Sequence, residues 1–432
     1  MSWAPTYRQR LTTAETAVEE IRSGDYVWIH AGCNNPEELI RAMVGRAGDL
    51  RNVTVSHILT FGCADYTEPR YAASFRHRAL FTGHNVREAV NEGRADFVPV
   101  FLSEIPRLIE TGLLPVDVAL LHVSPPDEHG FCSFGVGIEC SKAAAEKARS
   151  VVAVVNTRMP RSLGDSFIHV SKLTRIVEID RPVLELPDAG AMSEEARAIG
   201  RNIAELIEDG ATLQMGIGEI PDAVLLYLKD KKNIGIHTEM FSDGLVDLFE
   251  SGVVTNEAKT FHRGKIIASF VLGSRKTFDF IDNNPFVEFH PSDYVNDPFN
   301  VARNDRMVAI NSALAVDMTG QVCADSLGRS IYSGFGGQVD FIRGASRSKG
   351  GRPIIALPST ARNGTVSRIV DVLAEGSGVV TTRADVHYVV TEFGIARLHG
   401  RSLRERAAAL IEVAHPTFRP DLEDGARKRC LL

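Results

Sequence analysis

The residues best suited to chemistry lie at the end of an apolar run near the middle of the chain. Residues 234–244 read Ile-Gly-Ile-His-Thr-Glu-Met-Phe-Ser-Asp-Gly, so a β-rich stretch ends in polar residues and a turn. On a strand, His237 and Glu239 would point to the same face, because side chains alternate. A carboxylate there could act as a nucleophile, whereas two residues do not make a metal site. The spacing alone favours the simpler interpretation, a capped strand end with a solvated glutamate.

A second candidate is the glycine loop at residues 216–220, Gly-Ile-Gly-Glu-Ile, between a predicted strand and a helix that opens near Pro221. Backbone amides at the start of a helix can approach a phosphate or an oxyanion. The loop lacks the third glycine of the dinucleotide fingerprint, which argues against a nicotinamide site. An ordinary tight turn between strand and helix explains the same pattern.

A denser glycine cluster occurs at residues 333–341, Ser-Gly-Phe-Gly-Gly-Gln-Val-Asp-Phe. Glycines at 334, 336 and 337 would let the backbone come close to a bound group. The basic loop at residues 343–352 could meet phosphates, although its composition favours a solvated loop.

The composition excludes several classes of function. The chain has 432 residues and a net charge of −7, with no basic stripe for nucleic acid, so a small-molecule substrate is favoured. Its six cysteines include no CxxC pair, which predicts free thiols in a reducing compartment. No apolar run approaches the ~20 residues of a membrane span. We therefore expect a cytoplasmic protein that binds neither nucleic acid nor membrane.

The elements that must position these loops repeat along the chain. Gly24 and Gly32 flank a predicted strand and are matched by Gly210 and Gly218 at a constant offset of 186 residues. A weaker repeat has an offset of 190 residues. It relates the run beginning at residue 118 to that beginning at 308, and the run beginning at 130 to that beginning at 320. Repeats in the same order predict an α/β protein of two internally similar domains with mostly parallel sheets.

The domain boundary is predicted in a link punctuated by proline and glycine, residues 181–190. The resulting domains are residues 1–186 and residues 187–432, and the second contains Glu239.

Taken together, these segments resemble the acetyl-CoA hydrolase/transferase family of glutamate-dependent CoA-transferases, and most closely its 4-hydroxybutyrate branch. The likeness runs over nearly the whole chain. The motifs that carry it are residues 214–218, 237–244, 311–317, 334–341, 391–398 and 400–406.

The resemblance implies a role for each matching residue. Glu239 stands where the family places its nucleophilic glutamate, and Asn311 with Gly336 or Gly337 matches the groups that cradle the acyl oxygens and the thioester. Arg362 lies where relatives often carry a lysine near coenzyme A, and an arginine there keeps the positive charge with a different contact geometry. The implied coenzyme A contacts are Gly216, Ile217, Gly218, Glu219, Ile220 and Arg362.

The implied activity is transfer of coenzyme A between short-chain carboxylic acids by a ping-pong mechanism through an acyl-glutamyl anhydride and a glutamyl-CoA thioester. The expected acids are 4-hydroxybutyrate or butyrate, with acetyl-CoA or acetate as the partner. An acyl-CoA hydrolase is the alternative, and a non-catalytic acyl-CoA-binding protein is a third interpretation. The family also implies a homodimer, no metal and no cofactor beyond coenzyme A as substrate.

Overall fold

The computed structural model describes residues 3–186, 190, 192–216 and 218–432. The chain forms two compact units, residues 1–187 with 267–295 and residues 188–266 with 296–432. Unlike the contiguous division predicted from the sequence, the segment 267–295 groups with the N-terminal unit. It does so because its backbone bonds to that unit, with Val271 N donating to Val136 O at 2.7 Å and Phe289 N to Leu163 O at 2.9 Å.

Short strands follow one another along the described chain. In chain order they are β1 (Tyr26–Ile29), β2 (Val53–His57), β3 (Phe75–Ala79), β4 (Ala95–Phe97), β5 (Val118–Val123), β6 (Phe131–Ser133), β7 (Ser150–Asn156), β8 (Phe167–His169), β9 (Arg175–Ile179), β10 (Thr212–Met215), β11 (Gly235–Ile236), β12 (Met240–Phe241), β13 (Ile266–Ala268), β14 (Phe270–Val271), β15 (Val287–Phe289), β16 (Met307–Ser312), β17 (Ala315–Asp317), β18 (Val322–Cys323), β19 (Ser326–Leu327), β20 (Ser330–Ile331), β21 (Arg352–Ala356), β22 (Thr360–Ala361), β23 (Val366–Ser367), β24 (Ile369–Val370), β25 (Tyr388–Thr391) and β26 (Gly394–Arg397).

Helices connect most of these strands. They are α1 (Ala4–Arg10), α2 (Ala14–Ala17), α3 (Glu37–Gly45), α4 (Arg87–Asn91), α5 (Ile105–Glu110), α6 (Ser141–Lys147), α7 (Glu194–Glu205), α8 (Glu219–Leu226), α9 (Asp243–Glu250), α10 (Arg275–Ile281), α11 (Ser292–Val295), α12 (Pro298–Ala302), α13 (Gln338–Arg347), α14 (Leu403–Glu412) and α15 (Arg419–Lys428). Among the described residues, no helix combines the length and the apolar character needed to cross a membrane.

The N-terminal unit is built on a seven-stranded sheet in the order β4-β3-β2-β1-β5-β7-β9. All its neighbouring strands run parallel. Every residue of β5 and β7 is buried, as expected for central strands of a parallel sheet covered on both faces. The carboxyl ends of these strands therefore lie at one edge of the sheet.

The second unit has a six-stranded sheet in the order β11-β10-β16-β21-β25-β26. Its strands are parallel except for the final hairpin, in which β25 pairs antiparallel with β26. Mostly parallel α/β sheets were the prediction for both halves, and the structure confirms it.

The internal duplication extends to the register of the strands. The order β2-β1-β5-β7-β9 in the first sheet corresponds to β11-β10-β16-β21-β25 in the second. Val27 of β1 pairs with Val118 of β5, and Leu213 of β10 pairs with Val308 of β16. These are the residues that the sequence offsets of 186 and 190 relate, so the two halves share topology and pairing.

Candidate active site

Glu239 lies just beyond a strand rather than within one. Strand β11 ends at Ile236, and Glu239 occupies a bend before β12. The predicted alternation along a strand therefore does not extend to Glu239. His237 is fully buried, whereas Glu239 is partly exposed.

The hydroxyl of Thr238 fastens this bend to the end of strand β10. Its Oγ1 lies 3.1 Å from Met215 O and 3.0 Å from Met240 O, within donating distance of both carbonyls. Met215 N also donates to Thr238 Oγ1 at 3.4 Å. Because Met215 ends β10, the hydroxyl holds the Glu239 segment beside the start of the 216–220 loop.

His237 belongs to the scaffold of the bend. Its Nδ1 lies 3.3 Å from Asn304 Nδ2, and its ring contacts the rings of Phe261 and Phe341. Its backbone N–H donates to Leu213 O at 3.0 Å. A buried imidazole held in this way fixes the backbone that carries Glu239.

The carboxylate of Glu239 is only partly exposed and is held by a neighbouring amide. Asn296 Nδ2 donates to Glu239 Oε2 at 2.6 Å. Burial raises the pKa of Glu239 to about 7, and the hydrogen bond from Asn296 opposes that shift. The carboxylate is therefore bonded to a neighbouring side chain rather than surrounded by solvent, in contrast to the simpler interpretation of a solvated glutamate.

Gly337 is in contact with this carboxylate. A Cβ built on Gly337 would lie 1.8 Å from Glu239 Oε2 and 2.2 Å from Asn296 Nδ2, so no side chain fits. The residue has φ −93° and is the N-cap of α13, so glycine is required there for space rather than for conformation. The neighbouring Gly336 has φ +52° and is required for conformation. The structure thus brings Glu239 to the amino end of α13, where backbone N–H groups lack partners within the helix.

Asn311 lies on β16 at the same edge of the sheet as the end of β10. Its Nδ2 donates to Gln214 Oε1 at 3.0 Å. The side-chain amide that donates to Glu239 is therefore that of Asn296, whereas the amide of Asn311 is hydrogen-bonded to Gln214.

The predicted coenzyme A loop divides into residues with different environments. Gly216 would place a Cβ at an ordinary 3.7 Å from Met240 Cε, so the loop runs beside the Glu239 segment. Gly218 has φ +111°, a conformation that requires glycine, and is the N-cap of α8. The Glu219 carboxylate accepts a hydrogen bond from Ser193 N, and Ile220 is buried. Ile217 falls outside the described residues.

Arg362 occupies an exposed turn between β22 and β23, with a left-handed backbone at φ +49°. Within the described chain its guanidinium has no hydrogen bond or ion pair, so this cation is available to an anionic ligand.

Residues 2–186 match the acetyl-CoA hydrolase/transferase N-terminal domain, and residues 273–426 match the C-terminal domain of that family. The 4-hydroxybutyrate coenzyme A transferase of Clostridium kluyveri is 51% identical over 99% of this chain and 100% of its own length. The chain belongs to the acetyl-CoA hydrolase/transferase family.

Further relatives agree with this assignment. The succinyl-CoA:acetate/propanoyl-CoA:succinate CoA transferase of Fasciola hepatica is 50% identical over 95% of this chain and 86% of its own length. The crystal structure of RipA from Yersinia pestis covers 100% of both chains with a TM-score of 0.95 at 38% identity. The protein is a CoA-transferase enzyme.

Two contacts of this transferase were not predicted. Nothing in the sequence indicated that Asn296 contacts the site, because Asn296-Asp297-Pro298 is typical of the start of a helix. Asp297 does cap α12, since its side chain accepts a hydrogen bond from Phe299 N at 2.9 Å. Thr238 lies inside the predicted motif, but its hydroxyl acts through backbone carbonyls that come together only in the fold. Among the predicted residues, Gly337 is in direct contact with the Glu239 carboxylate. Gly216 lies beside Met240, the residue that follows Glu239 in the chain.

Proposed function

We propose that this CoA-transferase works through a covalent intermediate on Glu239. The observation that carries the proposal is a desolvated carboxylate with one oxygen bonded to Asn296 and pressed against the amino end of α13. A nucleophile needs such fixed geometry and a desolvated environment. A solvated glutamate would have neither.

The proposed steps conserve the energy of the thioester. The Glu239 carboxylate attacks the carbonyl carbon of an acyl-CoA, and CoA thiolate leaves, which gives an acyl-glutamyl anhydride. The thiolate then attacks the glutamyl carbonyl carbon, the carboxylic acid leaves as its anion, and a glutamyl-CoA thioester remains. An incoming carboxylate reverses both steps and departs as the new acyl-CoA. A serine nucleophile would form an ordinary ester, too little activated to return a thioester.

Protonation sets a limit on the first step, because only the ionised carboxylate is nucleophilic. Since burial raises the pKa of Glu239 to about 7, the reactive fraction falls as the pH drops below neutral. We expect the acidic limb of kcat/KM for the acyl-CoA near that pH.

Each attack also develops negative charge on an oxygen. The amides of Gly336 and Gly337 and the side chain of Asn311 are the proposed donors on the acyl side, each contributing about 3 kcal/mol. The loop at 216–220 and the exposed Arg362 are the proposed contacts of coenzyme A. Water must be excluded from the anhydride and the thioester, since its entry would make the protein a hydrolase.

The proposed substrates are short-chain acids, 4-hydroxybutyrate or butyrate, exchanging with acetyl-CoA or acetate. The name of the Clostridium kluyveri relative supports 4-hydroxybutyrate, and that of the Fasciola hepatica relative, at nearly the same identity, supports acetate as a partner. A homodimer in the cytoplasm, with no metal and no cofactor, belongs to the same proposal.

Mass spectrometry of the intact protein and of its peptides tests the mechanism. Incubation with acetyl-CoA, and separately with butyryl-CoA, should attach coenzyme A to the Glu239 peptide, and acetate should discharge it as acyl-CoA. Glu239→Gln and Glu239→Ala should remove both adduct and transfer, while Glu250→Gln, an exposed carboxylate of α9, should keep both. Transfer retained by Glu239→Ala would refute the role of Glu239, and CoA released without an acceptor would identify a hydrolase.

A further inference from the structure

Strand β11, which leads to Glu239, lies at the edge of the six-stranded sheet and pairs on its inner side with β10. On its outer side, Ile234 N donates to Val253 O at 3.0 Å, and Thr255 N donates to Ile234 O at 3.1 Å. Beyond that point, residues 255–265 form an irregular loop. The outer backbone groups of an edge strand need other partners where a neighbouring strand is missing.

Two side chains of this loop continue the ladder where its backbone departs. Asn256 Oδ1 accepts a hydrogen bond from Ile236 N at 2.8 Å, and Lys259 Nζ donates to Ile236 O at 2.8 Å. In a regular parallel pair, the backbone of the neighbouring strand would make both of these bonds. The amide oxygen and the ammonium group therefore take the place of a neighbouring strand.

The ammonium group of Lys259 is built into the interior of the second unit. Lys259 is 3% exposed, and its Nζ also donates to Lys265 O at 2.7 Å. Lysines are seldom buried to this extent, because the ammonium group loses its hydration. The aliphatic stem lies against Gly235 of β11, where a Cβ would come within 2.4 Å of Lys259 Cγ. Glycine at 235 therefore makes room for the lysine.

The residue that both side chains hold stands three positions before Glu239. Ile236 is held from the outer side by the loop, and the next residue, His237, is held from the inner side by its backbone bond to β10. The hydroxyl of Thr238 then fastens the chain to the end of β10. The bend that carries Glu239 thus begins from a backbone fixed on both sides.

We infer that Asn256 and Lys259 are positioning residues for the nucleophile. By holding Ile236, they set the place of the Glu239 carboxylate against the amino end of α13. The inference rests on the proposed function, since the position of this carboxylate limits the rate only if it attacks the acyl-CoA.

Lys259 acts through the backbone rather than through the charge of Glu239. Burial raises the pKa of Glu239, and the hydrogen bond from Asn296 opposes that shift. Lys259 enters through neither hydrogen bond nor charge, whereas an ammonium group close to the carboxylate would lower its pKa. Loss of Lys259 should therefore change the rate and leave the acidic limb of kcat/KM in place.

Single-turnover kinetics of Lys259→Met test the inference in the full-length protein. Methionine keeps most of the stem and removes the ammonium group. We expect adduct formation on Glu239 at saturating acetyl-CoA to slow about 10- to 100-fold, with KM within about 3-fold, because a displacement of about 1 Å has an effect of that size. The matched control is Lys231→Met, which removes an ammonium bond to Ile207 O at 2.6 Å elsewhere in the same unit and should keep the wild-type rate.

A pair of variants at Asn256 separates the hydrogen bond from the backbone conformation. Asn256 has φ +60°, which glycine and aspartate also adopt. Asn256→Gly loses the acceptor and should slow adduct formation as Lys259→Met does. Asn256→Asp keeps an acceptor oxygen, whose charge the ammonium group of Lys259 offsets, and should recover a rate close to that of wild type.

The outcome at Asn256 distinguishes positioning from stability alone. A residue needed only for stability would lower the melting temperature of Asn256→Gly without changing the rate in the folded protein. A wild-type rate in folded Lys259→Met or Asn256→Gly, or no recovery in Asn256→Asp, would overturn the inference. If Lys259→Met does not fold, the two Asn256 variants decide. Each of these results leaves the Glu239 mechanism standing, whereas a wild-type protein that forms no adduct would refute the proposed function itself.

Discussion

At the scale of single residues, two adjacent glycines contribute to the site in different ways. Gly336 and Gly337 are adjacent and look alike in the sequence, yet one is required for its backbone conformation and the other for the space beside Glu239. The resemblance named both glycines. Only the geometry separates their roles.

Gly337→Ala should inactivate the enzyme without unfolding it. The new methyl group would lie 1.8 Å from Glu239 Oε2, so the carboxylate must move by an ångström or more. The fold should tolerate the change, because the backbone at residue 337 has φ −93°, which alanine adopts without strain. A displacement of that size costs about 100-fold in rate. The measurement is kcat together with the melting temperature. Gly216→Ala, whose methyl group would find ordinary contact distances, is the control for stability, and full activity in Gly337→Ala would contradict the contact.

Glu239→Gln should stabilise the fold above neutral pH. The pKa of Glu239 is raised by burial from 4.5 to about 7, so the folded state holds a proton that the unfolded state has lost. Stability from this group is complete below about pH 4.5 and declines as the pH rises to about 7. Glutamine does not ionise, so the variant keeps this stability. The difference in the free energy of unfolding amounts to about 3 kcal/mol at pH 8.

The measurement is the melting temperature of wild type and Glu239→Gln from pH 4.5 to 8.5. The two curves should meet at the acidic end and separate as the pH rises. The exposed control Glu250→Gln should stay within about 0.5 kcal/mol of wild type throughout. A constant difference between wild type and Glu239→Gln would show that burial does not shift this carboxyl group.

At the scale of elements, the sequence was a good guide wherever local chemistry decides the structure. Gly218 illustrates this, because a glycine between a strand and a helix predicts a turn, and the residue takes φ +111° at the start of α8. The apolar run before Glu239 was also found, although the strand stops at Ile236. Beyond that residue the chain bends, and the Thr238 hydroxyl lies within hydrogen-bonding distance of Met215 O and Met240 O.

What the sequence could not provide are contacts between distant elements. Asn296 is 57 residues from Glu239 along the chain, and its neighbours look like an ordinary helix cap. The grouping of residues 267–295 with the N-terminal unit was equally invisible, because it depends on backbone bonds to loops more than a hundred residues away. Such information resides in packing and leaves no local pattern.

At the scale of the whole molecule, the duplication shows where the two halves have diverged. Tyr26 of β1 pairs with Thr54 of β2, as Thr212 of β10 pairs with Gly235 of β11. Four residues beyond these partners stand Ile58 and Glu239. The N-terminal unit thus presents a buried isoleucine at the position where the second unit presents its carboxylate.

The N-terminal unit has a buried glutamate, Glu139, that is also unsuited to attack. Glu139 is 1% exposed, and its Oε1 accepts from Ser141 Oγ at 3.1 Å. Burial raises its pKa to about 8, so it is mostly protonated at neutral pH. Neither Ile58 nor Glu139 can form the covalent intermediate proposed for Glu239.

We therefore expect one covalently held coenzyme A per chain at saturating acyl-CoA, although the chain contains two related units. Intact mass spectrometry of the rapidly quenched protein should show a single adduct that does not increase with donor concentration. Glu139→Gln should keep that adduct and Glu239→Ala should lose it, because the second unit has Glu239 at the position where the N-terminal unit has Ile58. A second adduct that persists in Glu239→Ala would mean that the duplicated fold retains two nucleophiles, and the asymmetry between Ile58 and Glu239 would then not explain where the chemistry occurs.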